Sequence, residues 1–217
     1  GQYRPLNGRN ANLLMPSSEL HIREGGREWI LHRPGDLESY WQEMTDRHFD
    51  ADERLPYWVE VWPAGLRLAT WLGDNSDRLA GRACLDLGCG LGLSTCAARA
   101  AGAKAVGVDY EPDALRYARI NEQANGLEGI AWAVMDWRRP AFAPGQFPFI
   151  CGADILYERR FTEPLAGLFA ALLAPGGRIW ITEPIRDVSA PAWAFFRSRG
   201  WKTRLLNCEK TDRKSVV

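Results

Sequence analysis

The sequence predicts a Rossmann-like, doubly wound α/β fold with a mostly parallel sheet, and three observations predict it. From Arg82 onward, short apolar segments alternate with helical patterns. The first of these segments runs into a loop with a glycine at every second position, and an acid ends the next one about 20 residues later. Strands that alternate with helices lie parallel and are covered on both faces, because each crossover helix must pack back onto the sheet.

The elements follow in order. Residues 20–32 read as two short strands around Gly25-Gly26, a dipeptide that supplies the positive φ a tight turn needs. Asp36 precedes a helix through about residue 49, with Leu37, Tyr40, Trp41 and Met44 at helical spacing. Pro63 suits the first position of a helix that carries Leu66, Ala69 and Leu72 and stops at Gly73. Residues 83–87 form a buried strand, 93–101 an Ala-rich helix and 104–109 a second strand. Pro112-Asp113 opens a helix to about residue 125, with acids in the first turn where the helix dipole favours them. Further strands are expected at 130–135, 147–154 and 178–182, the last entered through Pro175-Gly176-Gly177. Helices are expected at 161–173 and 193–199, and a late strand at 201–206. Residues 1–75 read as an extension packed on a core of residues 76–217, and no internal repeat or low-complexity linker interrupts them.

Composition narrows the function classes. The 217 residues suit one domain with a buried core. Charge is balanced at 27 basic and 27 acidic residues, so no global field recruits nucleic acid or a membrane. No apolar run is long enough to cross a bilayer, and no secretory signal is apparent, so a cytoplasmic protein is expected. Cys84, Cys89, Cys96, Cys151 and Cys208 are odd in number and form no Cys-x-x-Cys pair, which predicts reduced, mostly buried thiols. His21, His32 and His48 match no zinc spacing, so no metal site is expected.

The sharpest motif is Asp86-Leu87-Gly88-Cys89-Gly90-Leu91-Gly92. Alternate glycines between a strand and a helix let a ligand approach the backbone, because no Cβ stands in the way. A dinucleotide site wants a third small residue where Leu93 stands, and a pyrophosphate has no use for the charge of Asp86. A ligand carrying an ammonium and a sulfonium does. Asp109 ends the second strand, where an acid takes both hydroxyls of a ribose, and Tyr110 beside it is placed to lie against ribose or adenine. Asp136-Trp137, at the end of the third strand, offers a carboxylate for an exocyclic amine and an indole face for stacking. Each of these residues also has a plain structural reading, as a helix cap, a turn acid or a rim aromatic. Together they fall in order at the carboxyl ends of successive strands, where open α/β sheets bind ligands.

On these residues the sequence resembles the class I, seven-strand S-adenosylmethionine-dependent methyltransferases over about residues 80–206. Asp86 through Gly92 matches the first motif of that class, Asp109 its ribose acid and Asp136-Trp137 its adenine side. The resemblance implies S-adenosylmethionine as cofactor and a seven-strand sheet whose last strands, after Trp201, form a reversed hairpin. Pro56-Tyr57-Trp58 and Val61-Trp62-Pro63-Ala64-Gly65 are similar to the segment that precedes the core in family-16 lysine methyltransferases, where the tryptophan matching Trp62 lines the cofactor pocket. Trp58 and Trp71 read as core. The segment from Gly152 to Tyr157 matches that family's Asp-x-x-Tyr signature and places Ala153 on the adenosine side. Glu183-Pro184 resembles the acid-proline pair of the branch that modifies electron-transfer flavoprotein. The Asn-Pro-Pro-Tyr motif of adenine and glutamine N-methyltransferases is absent.

This resemblance implies a protein lysine as acceptor, and its chemistry assigns Asp154 to orient the amine or take its proton and Tyr157 to wall the acceptor channel. Two alternatives remain open at the level of sequence: a small-molecule amine as acceptor, and cofactor binding without turnover.

Overall fold

The computed structural model describes residues 17–48, 55–184 and 189–206. Its centre is a parallel sheet in the order β5-β4-β3-β6-β7, built from β3 (Ala83–Leu87), β4 (Lys104–Asp109), β5 (Ala131–Val134), β6 (Phe147–Ala153) and β7 (Leu173–Thr182). The chain moves outward from β3 to β5, then returns to the other side of β3 for β6. That reversal opens a crevice at the carboxyl ends of β3 and β6.

Side-chain alternation along the strands sorts the core into two layers. Cys84 on β3 and Phe149 and Cys151 on β6 join a cluster with α2 (Pro63–Asp74) and α4 (Leu93–Ala100). Leu85, Leu87 and Ile150 point the opposite way, into a cluster with α6 (Thr162–Leu172) and α7 (Ala190–Ser198). A period of two places neighbours on opposite faces, so each strand is apolar on both sides and the sheet is doubly wound as predicted. The four-residue helix α3 (Ser76–Leu79) leads into β3.

The N-terminal hairpin is longer than expected. β1 (Ser17–Glu24) and β2 (Arg27–Pro34) pair antiparallel, with Gly25 and Gly26 both at positive φ in the turn. Two asparagines on α5 (Pro112–Ala124) and at its C-cap hold the outer edge of β2. Asn125 accepts from the Ile30 N–H at 2.9 Å and donates to the Ile30 carbonyl at 2.7 Å. One turn earlier, Asn121 does the same for His32, at 2.6 and 3.1 Å. At i, i+4 spacing the two amides face one way along the helix and complete a strand edge that would otherwise be unsatisfied. α1 (Leu37–His48) packs Tyr40 and Met44 against Trp58, Leu91 and Tyr117, closing a third cluster over α5 and the glycine loop.

Two expectations about strands are corrected. Residues 201–206 adopt no regular structure, with Leu205 79% and Leu206 52% exposed. The described residues offer them no partner strand beyond β7, and apolar alternation without a partner does not make a strand. Residues 207–217, where the rest of the reversed hairpin is expected, and Cys208 lie outside the described residues. The described parallel sheet has five strands, and the seven-strand expectation rests in part on residues outside the described ones. The other correction concerns Pro175-Gly176-Gly177. This turn is absorbed into β7, whose pairing with β6 skips from Phe147↔Leu173 to Phe149↔Arg178. Among the described residues no helix is long and apolar enough to cross a membrane.

Candidate active site

A cavity of about 1080 Å³ opens at the carboxyl ends of β3, β4, β5 and β6. Its floor is the glycine loop. Gly88 and Gly90 sit at φ of 63° and 53°, in the left-handed region where a side chain is strained. A Cβ on Gly88 would come within 3.2 Å of the Trp137 ring, and one on Gly90 would meet the Trp58 backbone at 3.5 Å. The loop can therefore present bare backbone to the cavity, with Cys89 between the two glycines also on its wall.

Asp109 closes the next strand. Its two carboxylate oxygens accept the backbone N–H groups of Gly90 at 2.8 Å and Glu111 at 2.9 Å. Burial pushes this carboxyl up to about 6, against the pull of those two donors. Each oxygen keeps a second lone pair, and Asp109 lines the cavity. Tyr110 and Glu111 extend the same wall. At the end of β5, Asp136 is gripped by the backbone and guanidinium of Arg138 at 2.8–3.0 Å, which holds its carboxyl below the usual range. Trp137 packs edge-on against Phe161, 5.3 Å between centroids, and presents its indole to the cavity.

Ala153 ends β6, and Asp154 follows with φ 54°, alone among the described non-glycine residues in the left-handed region. Such a backbone costs about 1–3 kcal/mol and persists only where its surroundings impose it. Here Thr182 imposes it. The Asp154 N–H donates to the Thr182 carbonyl at 2.7 Å, while the Thr182 hydroxyl donates to the Ala64 carbonyl at 2.7 Å. One residue on β7 thus fastens both Asp154 and the start of α2, beside Trp62. Tyr157 faces Tyr57 at 5.6 Å and Phe161 at 6.3 Å, and Tyr57 faces Trp62 at 6.2 Å. These rings make an aromatic collar on the cavity that Asp154 also lines. Burial and the neighbouring Glu158 raise the Tyr157 hydroxyl well above its ordinary value, so it stays protonated.

Of the thirteen residues predicted for the site, Trp62, Gly88, Cys89, Gly90, Asp109, Tyr110, Asp136, Trp137, Ala153, Asp154 and Tyr157 line this one cavity. Asp86 and Gly92 do not. Asp86 is buried beneath the loop, where one oxygen accepts the Ser94 and Thr95 hydroxyls at 2.6 and 2.7 Å and the other the Cys151 thiol at 3.7 Å. Its side chain faces the α4 side of the sheet, so the charge that suggested direct contact with a cationic ligand is spent on the first turn of α4. Gly92 caps α4 at φ 88°, and a Cβ there would strike Trp132 at 2.8 Å and Ala118 at 2.9 Å. Its smallness serves helix packing.

Sequence reasoning left out Tyr57, Glu111, Phe161 and Thr182, and read Trp58 only as core. Trp58 is 8% exposed and also lines the cavity, so it serves both purposes. Tyr57 lay within the Pro-Tyr-Trp segment already singled out. Nothing local marks Thr182, because its partners are 28 and 118 positions away in sequence.

Residues 84–177 match the methyltransferase domain family. The chain is 31% identical over 153 residues to the electron transfer flavoprotein β subunit lysine methyltransferase of Rattus norvegicus, covering 68% of this chain and 57% of that protein. It is 34% identical over 165 residues to the ribosomal protein L11 methyltransferase of Marinobacter nauticus, covering 73% of this chain and 50% of that protein. The chain thus spans little more than half the length of these relatives. Among solved structures, the Thermus thermophilus 16S rRNA N2 G1207 methyltransferase in complex with AdoMet and guanosine superposes with a TM-score of 0.59 at 22% identity, over 81% of this chain and 44% of that one. At that identity the likeness establishes the fold. The chain therefore carries a class I S-adenosylmethionine-dependent methyltransferase domain, and it resembles the lysine methyltransferases of the electron transfer flavoprotein β subunit.

Proposed function

We propose that this chain transfers the methyl group of S-adenosylmethionine to the side-chain amine of a lysine in a protein acceptor. The observation that carries this reading is the strained Asp154 in the same cavity as the ring cluster of Tyr57, Trp62 and Tyr157. The relatives named for flavoprotein lysine and for ribosomal protein L11 methylation support a protein as acceptor.

The cavity fits the cofactor. Gly88 and Gly90 carry no side chain to crowd Trp137 and Trp58 on the cavity wall, and Asp109 keeps lone pairs for the ribose hydroxyls. Asp136, Trp137, Tyr110 and Ala153 form the adenine side, with Cys89 and Trp62 completing the walls. Asp86 and Gly92 hold the loop and α4 in place from behind. Six carboxylates and two guanidinia line the cavity, a balance that favours a sulfonium and an amine over any anion. Bound there, the cofactor supplies an electrophilic methyl group. The rest is positioning, because an in-line displacement needs little covalent help.

A free lysine titrates near ~10.4 and must lose its proton to act as a nucleophile. Desolvation inside the aromatic collar lowers that value, and Asp154 accepts a hydrogen bond from Nζ, orienting the amine and receiving its proton. The rings of Tyr57, Trp62 and Tyr157 stabilise the methylated ammonium that results.

Incubating the protein with methyl-labelled cofactor and a cell extract, then separating macromolecules from small molecules, tests the reading. Label is expected in protein. Label confined to the small-molecule fraction would replace the lysine with a free amine.

A further inference from the structure

We propose that two arginine pairs beside the cavity mouth, Arg138-Arg139 and Arg159-Arg160, form a docking surface for an acidic patch next to the acceptor lysine. The proposal rests on the protein-lysine reading and identifies the surface that presents that lysine.

The pairs lie on separate loops, after β5 and in the helical turn Arg159–Phe161 before α6. The edge-on contact of Trp137 with Phe161 at 5.3 Å brings the loops together. Within each pair the work is divided. Arg138 and Arg160 line the cavity and are engaged by Asp136 and Glu158. Arg139 and Arg159 are exposed, do not line the cavity, and make no ion pair among the described residues. Arg139 is still near enough to help hold the Asp136 carboxyl down. Four guanidinia against two carboxylates leave this flank at about +2 on a chain whose net charge is zero.

The charge pattern selects the partner. The cavity that Arg138 and Arg160 line also carries Asp154, the acid assigned to the acceptor amine. A lysine flanked by acidic side chains complements both features, its amine Asp154 and its neighbours the outer arginines. A phosphate backbone complements only the arginines. Each arginine pair is also preceded by an acid, Asp136 or Glu158, which interrupts the continuous basic track that nucleic acid requires. Charges at a rim act mainly on encounter rate and salt dependence, so Arg139 and Arg159 should govern capture of the acceptor rather than the chemical step.

The test uses a fluorescein-labelled polyglutamate peptide and the full chain, read by anisotropy. The wild type should bind it with an affinity that falls as salt rises. The double substitution Arg139→Glu/Arg159→Glu should weaken binding at least about tenfold at low salt, with unchanged melting temperature and unchanged affinity for S-adenosylhomocysteine. In the extract assay the same variant should label protein several-fold more slowly at limiting extract and approach the wild-type rate as extract is raised. Equal peptide binding by variant and wild type would overturn the proposal. So would a single-stranded RNA of the same charge binding far more tightly than polyglutamate, which would assign the surface to nucleic acid. Failure of the lysine reading shows separately, as wild-type label confined to small molecules whatever the peptide does.

Discussion

Burial raises the Asp109 carboxyl from 3.8 to about 6, and the ribose contact proposed for this group predicts a link between pH and ligand binding. Between those values the folded protein holds a proton that the unfolded chain has released. The group therefore stabilises the fold fully below about pH 4 and loses that contribution as pH rises through 6. Ribose hydroxyls donate to the ionised form, so cofactor affinity must run the other way. Calorimetric affinity for S-adenosylhomocysteine should be flat above about pH 7 and fall toward tenfold per unit below about 6. Asp109→Asn should weaken binding by ~1–3 kcal/mol and remove that step. A pH-independent wild type would move the ribose contact to another residue. Asp86 shares the same raised value and the same cause, yet its bonds to Ser94 and Thr95 keep it out of the cavity. The sequence marks both acids alike. Which face of the strand each occupies, and whether a hydroxyl on the next helix reaches it first, depends on packing that spacing does not report.

The hairpin, α1 and α5 show what could be read at the level of elements. Glycine turns, a proline at the first helical position and apolar periodicity identify nearly every strand and helix, because those signals are local. The clasp between Asn121, Asn125 and β2 is not local, since its partners lie 89 and 95 positions apart. Its weight is measurable. Substituting both asparagines with alanine strands the N–H and carbonyl groups of Ile30 and His32, at less than the ~1–3 kcal/mol of a fully buried unpaired group because both residues are half-buried. Hydrogen exchange at Ile30 and His32 should accelerate markedly, while the amides of β3 and β4 keep their protection. Uniform acceleration across the sheet would instead make the clasp part of the global folding unit. The late strand at 201–206 failed for a related reason: a strand is a property of a pair, and its partner is not legible in six residues.

At the scale of the molecule, the sheet order β5-β4-β3-β6-β7 sets four strand ends around one crevice, and that topology explains why residues scattered from 62 to 157 meet there. The order of motifs along the chain made this much visible in advance. The Thr182 tie and the aromatic collar were not, because they join segments from opposite ends of the sequence. A cavity built for adenosine beside a cationic sulfur should distinguish ligands. S-Adenosylmethionine and S-adenosylhomocysteine should raise the melting temperature, by about 2.7 kcal/mol of added stability at one hundred times Kd, and NAD should leave it unchanged. The more direct question is where the methyl group goes. Acid hydrolysis of protein labelled by the wild type, followed by amino-acid analysis, should place the label on methylated lysine. Asp154→Asn, with the same cofactor affinity, should yield roughly 10²–10⁴-fold less label, and the deficit should shrink at high pH where free amine forms unaided. Label on any other amino acid, or full labelling by Asp154→Asn, would contradict the assignment of this cavity to lysine methylation.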